Sequence, residues 1–332
     1  MENTLPHIPV LRDRCLELLA PALKSPTATV IDATLGAGGH SAALLSRFPE
    51  LTVIGIDRDP TALSLARQRI EREVPSARGR FAAIHATYDE IPRALAQADK
   101  TGVEAVLFDL GVSSMQLDDS ARGFSYSQAA PLDMRMDSGD KDLPTAADIL
   151  ARADERELVR IMRQYGEEKF APHIARAIVA ERKQEPITHS NQLVELIRAT
   201  IPAAARRTGG NPAKRTFQAL RIAVNRELDV LQRAIPEAIN ALVVGGRIVV
   251  MSYQSLEDRI VKRELAAGAE VSAPPDMPVV PESAQPYLRI LTRGAERASE
   301  SEIAENPRAK PVRLRAAQRI RNSPSYQSGG AR

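Results

Sequence analysis

A glycine-rich stretch near the N-terminus has the residue types and spacing to hold a nucleotide cofactor. Residues 30–45 are VIDATLGAGGHSAALL, in which Gly36, Gly38 and Ser41 occupy the three positions of a G-x-G-x-x-G/A pattern, with serine at the last. Glycine allows backbone N–H groups and the positive end of the following helix to approach a ligand closely. Asp57 follows Gly36 by 21 residues, which suits a carboxylate that accepts both ribose hydroxyls. NAD enzymes and S-adenosylmethionine enzymes share this spacing.

Two further carboxylates favour S-adenosylmethionine over a dinucleotide. Asp32 lies in the end of the first predicted strand, four residues before Gly36, and Asp109 ends the apolar run of the segment AVLFDLG. Ligands of open α/β sheets bind at the carboxyl edge of the strands. Three acids around one pocket would repel a pyrophosphate, whereas they suit a cationic sulfonium and amino-acid group. The alternative is that Asp32 is a helix N-cap and Asp109 a turn residue.

The elements that must position these residues alternate between strands and helices. TVIDAT, TVIGID, FAAIHA and VEAVLFDLG are predicted strands, and helical patterns separate them. Strands separated by helices of this length indicate an α/β fold with a doubly wound, mostly parallel sheet. The alternation stops at residues 113–135, which predict a loop, and helical periodicity then runs from Pro144 to about Pro202.

The alternation resumes with a long predicted helix over residues 217–242, the strand GGRIVVMSY, another helix and a terminal strand, YLRILTR. A helical segment is therefore inserted into an α/β domain. The predicted domains are the two parts of the sheet domain, 1–112 and 213–298, an inserted loop and helical substrate-recognition domain, 113–212, and a basic, partly disordered tail, 299–332.

Composition excludes several classes of protein. The chain is 43% hydrophobic and 26% charged. It has no signal-like N-terminus and no run approaching about eighteen apolar residues, so a cytoplasmic protein without a membrane span is expected. One cysteine, Cys15, excludes an internal disulfide, and the five histidines show no metal-ligand spacing with it, so no metal is expected. The oligomeric state stays open, a homodimer included.

Basic residues are concentrated in two places. One cluster includes Arg206, Arg207, Lys214 and Arg215, and the other spans residues 308–321. Such clusters are often solvated faces or tails, so charge alone leaves phosphate binding and a solvated surface as equal alternatives. Only 4% of residues are aromatic and there is no Trp, which argues against an extended platform for base stacking.

Ten longer motifs follow one another in an order that resembles a single family. They are HIPVL (7–11), DATLGAGGHS (32–41), GIDRDP (55–60), DLGVSSMQLDD (109–119), RGFSY (122–126), PLDMRMD (131–137), YGEEKFAPHIARAIV (165–179), TFQALRIAVNREL (216–228), SLEDRIVK (255–262) and ENPRAKPVRLRAAQR (305–319). Together they resemble the bacterial RsmH or MraW family, which methylates the exocyclic N4 of a cytosine in the decoding region of 16S ribosomal RNA. The resemblance covers nearly the whole chain and implies a class I methyltransferase-like Rossmann fold, S-adenosylmethionine as cofactor and the small ribosomal subunit as partner.

The resemblance also implies roles for matching residues. Gly38, Gly39 and His40 would line the cofactor site from the turn, Asp57 would take the ribose, Tyr88 would pack near the adenine, and Asp109 and Gln116 would complete the pocket. Tyr88 keeps the ring of the Phe found in many relatives. The chain departs from the family pattern at Tyr253 and Gln254, where Phe-His is expected, so no role that needs a histidine is carried over there.

The expected chemistry makes Asp109 the candidate catalytic residue. The N4 lone pair of cytosine is conjugated with the ring, so the enzyme must offer acceptors to the N–H groups and align nitrogen, methyl and sulfur. The segment Asp109 to Val112 lacks the prolines and the aromatic of the Asp/Asn-Pro-Pro-aromatic motif in DNA amino-methyltransferases. Asp109 or nearby backbone carbonyls are then the expected acceptors. Attack through a ring carbon would need a thiolate, and Cys15 lies outside every sheet-edge motif.

The loop over residues 113–137 is the candidate wall of the cytosine pocket, because an extruded base requires an aromatic face and paired polar groups. The candidate substrate residues in it are Arg122, Phe124, Asp133, Arg135 and Asp137, with Tyr126 as a second aromatic. The equal alternative for each is an ordered loop that packs the helical insert.

Two rival functions stay open at this level. A non-catalytic RNA-binding or assembly factor would lose cofactor binding, and the retained Asp32, Asp57 and Asp109 argue against it. An NAD-dependent oxidoreductase would need a catalytic His or Lys that faces the cofactor.

Overall fold

The computed structural model describes residues 9–203, 211–273, 277 and 279–322, and the chain divides into two compact units. The sheet unit comprises Met1–Gly111 and Leu228–Arg332, and the helical unit comprises Val112–Glu227. The chain therefore leaves the sheet unit after Gly111 and returns to it at Leu228.

The sheet unit contains a seven-stranded sheet. Its strands are β1 Thr29–Asp32, β2 Thr52–Asp57, β3 Phe81–His85, β4 Val103–Asp109, β5 Leu242–Ser252, β6 Leu288–Ile290 and β7 Arg313–Arg319. Helices are numbered along the whole chain, and those of this unit are α1 Arg12–Leu19, α2 Gly39–Arg47, α3 Pro60–Glu73, α4 Ile91–Gln97, α11 Glu227–Ala241, α12 Ser255–Ala269 and α13 Glu300–Glu305.

The strand order is β3-β2-β1-β4-β5-β7-β6, and only β7 is antiparallel to its neighbours. This order confirms the predicted doubly wound, mostly parallel sheet. Strand β1 lies between β2 and β4, where the strand order changes direction, and ligands of such sheets bind beside the carboxyl ends of strands at this point.

Burial explains why these segments form strands. All four residues of β1 are buried, and β4 buries the continuous run Ala105–Phe108. Continuous apolar runs are typical of parallel strands that helices cover on both faces. Val30 of β1, Leu44 of α2 and Leu107 of β4 belong to one apolar core, which the buried Leu19 of α1 joins. The sheet edge beside β1 is therefore held on a packed scaffold.

The C-terminal segment departs from the sequence prediction of a tail from residue 299. Arg313–Arg319 forms β7 in the interior of the sheet, between β5 and β6. The predicted terminal strand YLRILTR contributes only the short edge strand β6. Alternating burial along β7, with Leu314 and Ala316 in the core, outweighs its basic composition.

The arginines of β7 have partners within the sheet unit. Arg315 and Arg313 approach the carboxylate of Asp258 on α12 at 2.7 and 3.2 Å. Arg319 is 2% exposed, and its guanidinium donates to the carbonyl oxygens of Ile239, Asn240 and Leu242 at the end of α11. A cation at a helix C-terminus satisfies carbonyl groups that have no partner within the helix. These arginines stabilise the fold. Their charges are paired inside the sheet unit, whereas the predicted tail would have left them exposed.

The helical unit contains the helices of the middle of the chain. They are α5 Ser114–Asp118, α6 Ala146–Arg152, α7 Glu155–Gly166, α8 Ala171–Glu181, α9 Ser190–Thr200 and α10 Lys214–Asn225. Apolar residues at helical spacing form one core, to which Leu158 and Ile161 of α7, Ile174 of α8 and Phe217 of α10 contribute. The helical insert predicted from periodicity is therefore a unit with its own core.

The long helix predicted over residues 217–242 is two helices. Arg226 has a φ of 51°, which is left-handed, so it ends α10, and α11 begins at the next residue. Helix α10 packs in the core of the helical unit, and the boundary falls after Glu227 instead of before residue 213. Helical periodicity on both sides of Arg226 hides this break from a sequence reading.

Across the described ranges, none of the helices combines the length and the apolar composition needed to cross a lipid bilayer.

Candidate active site

Three carboxylates end neighbouring strands at one edge of the sheet. Asp32 ends β1, Asp57 ends β2 and Asp109 ends β4. Asp32 pairs in register with Gly55 on one side and Leu107 on the other, so Asp57 and Asp109 each extend two residues beyond the level of Asp32. The sheet therefore brings together the acids that the sequence predicted at this edge.

The glycine-rich turn that follows β1 needs glycine at particular positions. Gly36 and Gly38 have φ values of 52° and 74°, in the left-handed region, and Gly38 is the N-cap of α2. A Cβ on Gly38 would lie 3.0 Å from the Cβ of Ala66, and one on Gly39 would lie 2.5 Å from Cγ of Pro9. The backbone thus turns sharply into α2, and the N–H groups of the first turn of α2 have no side-chain cap.

Asp57 holds the turn as well as facing the ligand edge. Its two carboxylate oxygens accept hydrogen bonds from the backbone N–H of Gly36 at 2.8 Å and of Asp59 at 2.9 Å. Burial raises the pKa of Asp57 to about 6, although both backbone donors act in the opposite direction. Each oxygen keeps a second lone pair, so the carboxylate can still accept two hydroxyl groups.

Asp32 is buried and only partly satisfied. Ser41 of α2 donates to Oδ2 at 2.7 Å, whereas Oδ1 has no hydrogen-bond partner among the described residues. Burial raises the pKa of Asp32, and the nearby His40 and the Ser41 hydroxyl oppose that rise. The N-cap of α2 is Gly38, so the alternative of Asp32 as an N-cap is wrong. A buried acceptor without a partner suits a bound donor or cation.

Two other groups of the sheet unit lie close to the Asp109 carboxylate, and one of them holds it by a hydrogen bond. The Tyr253 hydroxyl donates to Oδ1 at 2.7 Å, and Nε2 of His40 lies 3.5 Å from Oδ2. The His40 approach does not make a hydrogen bond, and Nε2 has no other partner in the described ranges. The Asp109 backbone N–H donates to the Thr34 hydroxyl. The side chain is 26% exposed, so one carboxylate oxygen can reach a ligand.

Tyr88 lies at the side of the site that β3 forms with β2. Its ring contacts Phe108 of β4 edge to face, with centroids 5.9 Å apart, and the guanidinium carbon of Arg58 lies 5.9 Å from the ring centroid. Nε2 of His85 donates a hydrogen bond to the backbone carbonyl oxygen of Arg58 at 2.9 Å. The partly exposed Tyr88 ring is thus fixed in orientation, as a wall for a flat aromatic group requires.

Gln116 lies in the helical unit, at the start of α5. Its Oε1 accepts from the backbone N–H of Ser113, and its own backbone N–H donates to the Ser113 hydroxyl, both at 3.2 Å. This reciprocal capping box starts the helix. The side chain therefore has a structural partner, and its predicted cofactor role stays a prediction.

The predicted substrate residues of the loop have partners inside the helical unit. Arg122 donates to the carbonyl oxygens of Arg135 and Met136. Asp133 and Arg135 form an ion pair at 2.8 Å, and these hydrogen bonds lower the pKa of Asp133 although burial acts to raise it. Each charge in this set satisfies a neighbour in the same loop, so a structural role is supported for all three.

The remaining loop candidates differ in exposure. Phe124 is 6% exposed and belongs to the core of the helical unit, so stacking on an extruded base would need exposure that this ring does not have. Asp137 is partly exposed and accepts from the backbone N–H of Gly139 at 2.9 Å. Tyr126 is also partly exposed, and its ring contacts Phe217 edge to face. Of the two aromatic residues of this loop, Tyr126 is the more exposed.

The basic clusters separate into structural and exposed cations. Lys214 and Arg215 are exposed in the first turn of α10 and form no ion pair with the described part of the chain. Arg206 and Arg207 lie outside the described residues. Cations in the first turn of a helix do not stabilise it, because that end is already electropositive. The same position favours the binding of an anion such as phosphate.

Sequence reasoning assigned no role to two residues that organise these regions. Tyr253 directly follows β5, so its position after a strand at the carboxyl edge was a signal that could have found it. Asn225 is 2% exposed; its amide bridges the Met136 N–H and the Met134 carbonyl, both at 2.7 Å. No local signal predicts this clamp, since its partners are about 90 residues away.

The donor and acceptor set fits S-adenosylmethionine. A turn of bare backbone, a carboxylate for two hydroxyls, an aromatic wall and a buried acceptor without a partner match its carboxylate, ribose, adenine and ammonium groups. Three carboxylates at one edge oppose a pyrophosphate. Within the described ranges, no three His, Cys, Asp or Glu side chains are grouped to hold a metal ion.

Comparison with known proteins gives one consistent result. The model of the MraW methylase family matches residues 4–320. The chain is 62% identical over 322 residues to Ribosomal RNA small subunit methyltransferase H of Beutenbergia cavernae, covering 97% of this chain and 95% of the relative. Proteins of the same name from Frankia alni and Streptomyces avermitilis are 60% and 59% identical, over 96% and 95% of this chain and 96% and 97% of theirs.

Proposed function

The chain belongs to the MraW methylase family of S-adenosylmethionine-dependent ribosomal RNA methyltransferases, and on this premise we propose that it methylates the exocyclic N4 of a cytidine. The target lies in the decoding region of 16S ribosomal RNA, within the small ribosomal subunit. The observation that carries the proposal is the partly exposed Asp109 carboxylate at the end of β4, beside the cofactor turn.

The cofactor would be held by residues of the sheet unit. The backbone of Gly36, Gly38 and Gly39 allows close approach, Asp57 accepts the ribose hydroxyls and Tyr88 bounds the adenine. The buried Oδ1 of Asp32 would accept from the ammonium group, with His40 next to it. When bound, S-adenosylmethionine supplies an electrophilic methyl group on a sulfonium.

Asp109 makes the target nitrogen more reactive by accepting a hydrogen bond from its N–H group. An amine whose N–H points at a carboxylate donates its hydrogen bond in the ring plane, and the nitrogen can then pyramidalise toward the methyl carbon. The bound cofactor would supply the methyl group and keep its sulfur as a neutral thioether, and the Asp109 carboxylate would take up the proton that N4 loses and pass it to solvent. Burial raises the pKa of Cys15, so it is not the thiolate that attack through a ring carbon would need.

The ribosomal RNA would be bound in part by the helical unit. Lys214 and Arg215, exposed at the start of α10, are the described cations best placed for phosphates, and Arg206 and Arg207 belong to the same basic stretch of sequence. We include Asp137 and Tyr126 as base-facing candidates of the loop, whereas Arg122, Phe124, Asp133 and Arg135 would shape that loop through their internal contacts.

The product of the reaction tests the proposal directly. Small subunits from cells that lack the gene are incubated with the purified protein and isotopically labelled S-adenosylmethionine, and their nucleosides are analysed by mass spectrometry. We expect label in N4-methylated cytidine, at one site in the decoding region. Label in 5-methylcytidine, or in a nucleoside other than cytidine, would contradict the assignment of N4 while leaving the methyltransferase family unaffected.

A further inference from the structure

The Asp109 carboxylate accepts a hydrogen bond from a side chain that takes no part in the proposed bond making and breaking. Tyr253 follows β5, and its hydroxyl donates to Oδ1 of Asp109 at 2.7 Å, across two neighbouring parallel strands. The backbone of Tyr253 is fixed as well, because its N–H donates to Oε2 of the buried Glu257 at 2.9 Å. The phenol is therefore attached to a rigid strand end and not to a loose loop.

The two oxygens of Asp109 have different surroundings. Oδ1 is held by Tyr253, whereas Oδ2 faces His40 at 3.5 Å without a hydrogen bond. The carboxylate is 26% exposed, so it would rotate among several orientations if no donor held it. With Oδ1 engaged, Oδ2 keeps the lone pairs that an incoming amine needs.

The Tyr253 hydroxyl remains a donor at neutral pH. Burial raises the pKa of Tyr253 well above its ordinary value, and the adjacent charge of Asp109 raises it further. The phenol thus keeps its proton. Its hydrogen bond to Asp109 is charge-assisted, which makes it shorter and more directional than a neutral one.

We propose that Tyr253 is a positioning residue for methyl transfer, whose hydroxyl fixes the Asp109 carboxylate so that Oδ2 is presented to the target amine. This inference rests on the proposed function, since it assumes that Asp109 accepts from that amine. Tyr253 acts through Asp109 and touches neither the amine nor the methyl group. Its effect is on the rate of methyl transfer and not on the affinity for the cofactor.

The test removes only the hydroxyl. In single-turnover methylation of small subunits, Tyr253→Phe should be about tenfold slower than wild type, as expected for the loss of a hydrogen bond to a charged group. The dissociation constant for S-adenosylmethionine, measured by calorimetry, should stay within about threefold and shows that the variant is folded. Tyr287→Phe is the matched control, a half-buried tyrosine of the same unit whose hydroxyl has no hydrogen bond in the described ranges.

A double-mutant cycle shows whether Tyr253 acts through Asp109. Asp109→Asn should slow single-turnover transfer by more than it weakens cofactor binding, and adding Tyr253→Phe to it should cost less than about twofold. A wild-type rate for Tyr253→Phe, or an unchanged tenfold loss in the Asp109→Asn background, would overturn the inference. Rates are measured as total methyl incorporation, so a product other than N4-methylcytidine would count against the proposed function and not against Tyr253.

Discussion

At the scale of single residues, Asp57 combines two requirements that favour opposite protonation states. The backbone N–H groups of Gly36 and Asp59 favour a charged acceptor, and so would the ribose of the proposed cofactor site. Burial at the end of β2 favours the neutral acid and raises the pKa of Asp57 to about 6. The site therefore uses a carboxylate that is ionised at neutral pH but only by a small margin.

Replacing Asp57 should affect the cofactor strongly. Loss of a hydrogen-bond acceptor that is charged costs about 1.5–3 kcal/mol, so Asp57→Ala should weaken S-adenosylmethionine binding by about ten- to a hundredfold. Isothermal titration calorimetry measures this change. Glu71→Ala removes an exposed carboxylate from α3 and serves as the control, which should bind as wild type does. Unchanged affinity in Asp57→Ala would remove Asp57 from the ribose site.

The affinity for S-adenosylmethionine should also depend on pH. A pKa of about 6 leaves roughly a tenth of Asp57 ionised at pH 5, so binding should strengthen about tenfold between pH 5 and pH 7. Asp57→Asn should bind weakly and show no such dependence. A wild-type affinity that is flat between pH 5 and pH 7 would show that the carboxylate is charged throughout.

Stability responds to the same group with the opposite sign. A carboxyl whose pKa is higher in the folded than in the unfolded chain favours folding most below about pH 4, and this contribution is lost as pH rises through 6. The rise from 3.8 to about 6 corresponds to at most about 3 kcal/mol, and solvent at the partly exposed side chain reduces that figure.

At the scale of secondary-structure elements, one buried amide connects a helix to the loop after the fourth strand. Asn225 ends α10, where Arg226 turns the chain into α11, and its side chain bridges Met134 and Met136. Met134 itself has a φ of 61°, an unfavourable backbone conformation for this residue. The clamp thus fixes the loop that carries the base-facing candidates Asp137 and Tyr126.

Removing this clamp should loosen the loop. Asn225→Ala leaves a buried backbone N–H and carbonyl without partners, so we expect a loss of about 2–4 kcal/mol in the free energy of unfolding. Amide hydrogen exchange at Met136 should accelerate, and urea denaturation gives the stability. Asn191→Ala, at an exposed position of α9 in the same unit, should change neither quantity. Full protection at Met136 in Asn225→Ala would show that the loop is held by other contacts.

At the scale of the whole molecule, the net charge of +3 does not show that some cations are paired inside the fold and others are exposed. The arginines of β7 are neutralised inside the sheet unit by Asp258 and by helix-end carbonyls. Lys214 and Arg215 stay exposed. A protein that uses some of its arginines in internal contacts and has only 4% aromatic residues should bind a folded RNA at a few phosphates more readily than a long single strand.

The RNA substrate should therefore be methylated faster in assembled small subunits than as naked ribosomal RNA. Neutralising Arg206, Arg207, Lys214 and Arg215 together should reduce the slope of log affinity against log salt, by about 0.7–0.9 for each phosphate that the protein no longer neutralises. The control neutralises four exposed cations without an assigned role: Lys24, Arg78, Arg163 and Lys183. Equal rates on both substrates, with the same salt slope in both quadruple variants, would assign the cluster to solvated surface.

Local sequence determined the sheet edge, because strands, glycine turns and helices of the α/β pattern depend on residues close together in the chain. The positions of Gly36, Asp32, Asp57 and Asp109 followed from that pattern, and the longer motifs determined the family. Helical periodicity also predicted the insert, although not its C-terminal boundary. One left-handed residue, Arg226, moves that boundary without disturbing the pattern of apolar residues around it.

Only the tertiary structure decided which groups meet across the chain. The Tyr253 hydroxyl reaches Asp109 over 144 positions, the Arg315 guanidinium reaches Asp258 over 57, and the Asn225 amide reaches Met136 over 89. Arginines at other positions of the chain lie in solvent. Composition therefore predicted a charged tail where the fold forms an interior strand. The free energy of a hydrogen bond or an ion pair depends on distance and burial, and both are set only when the chain has folded and the strands are in register.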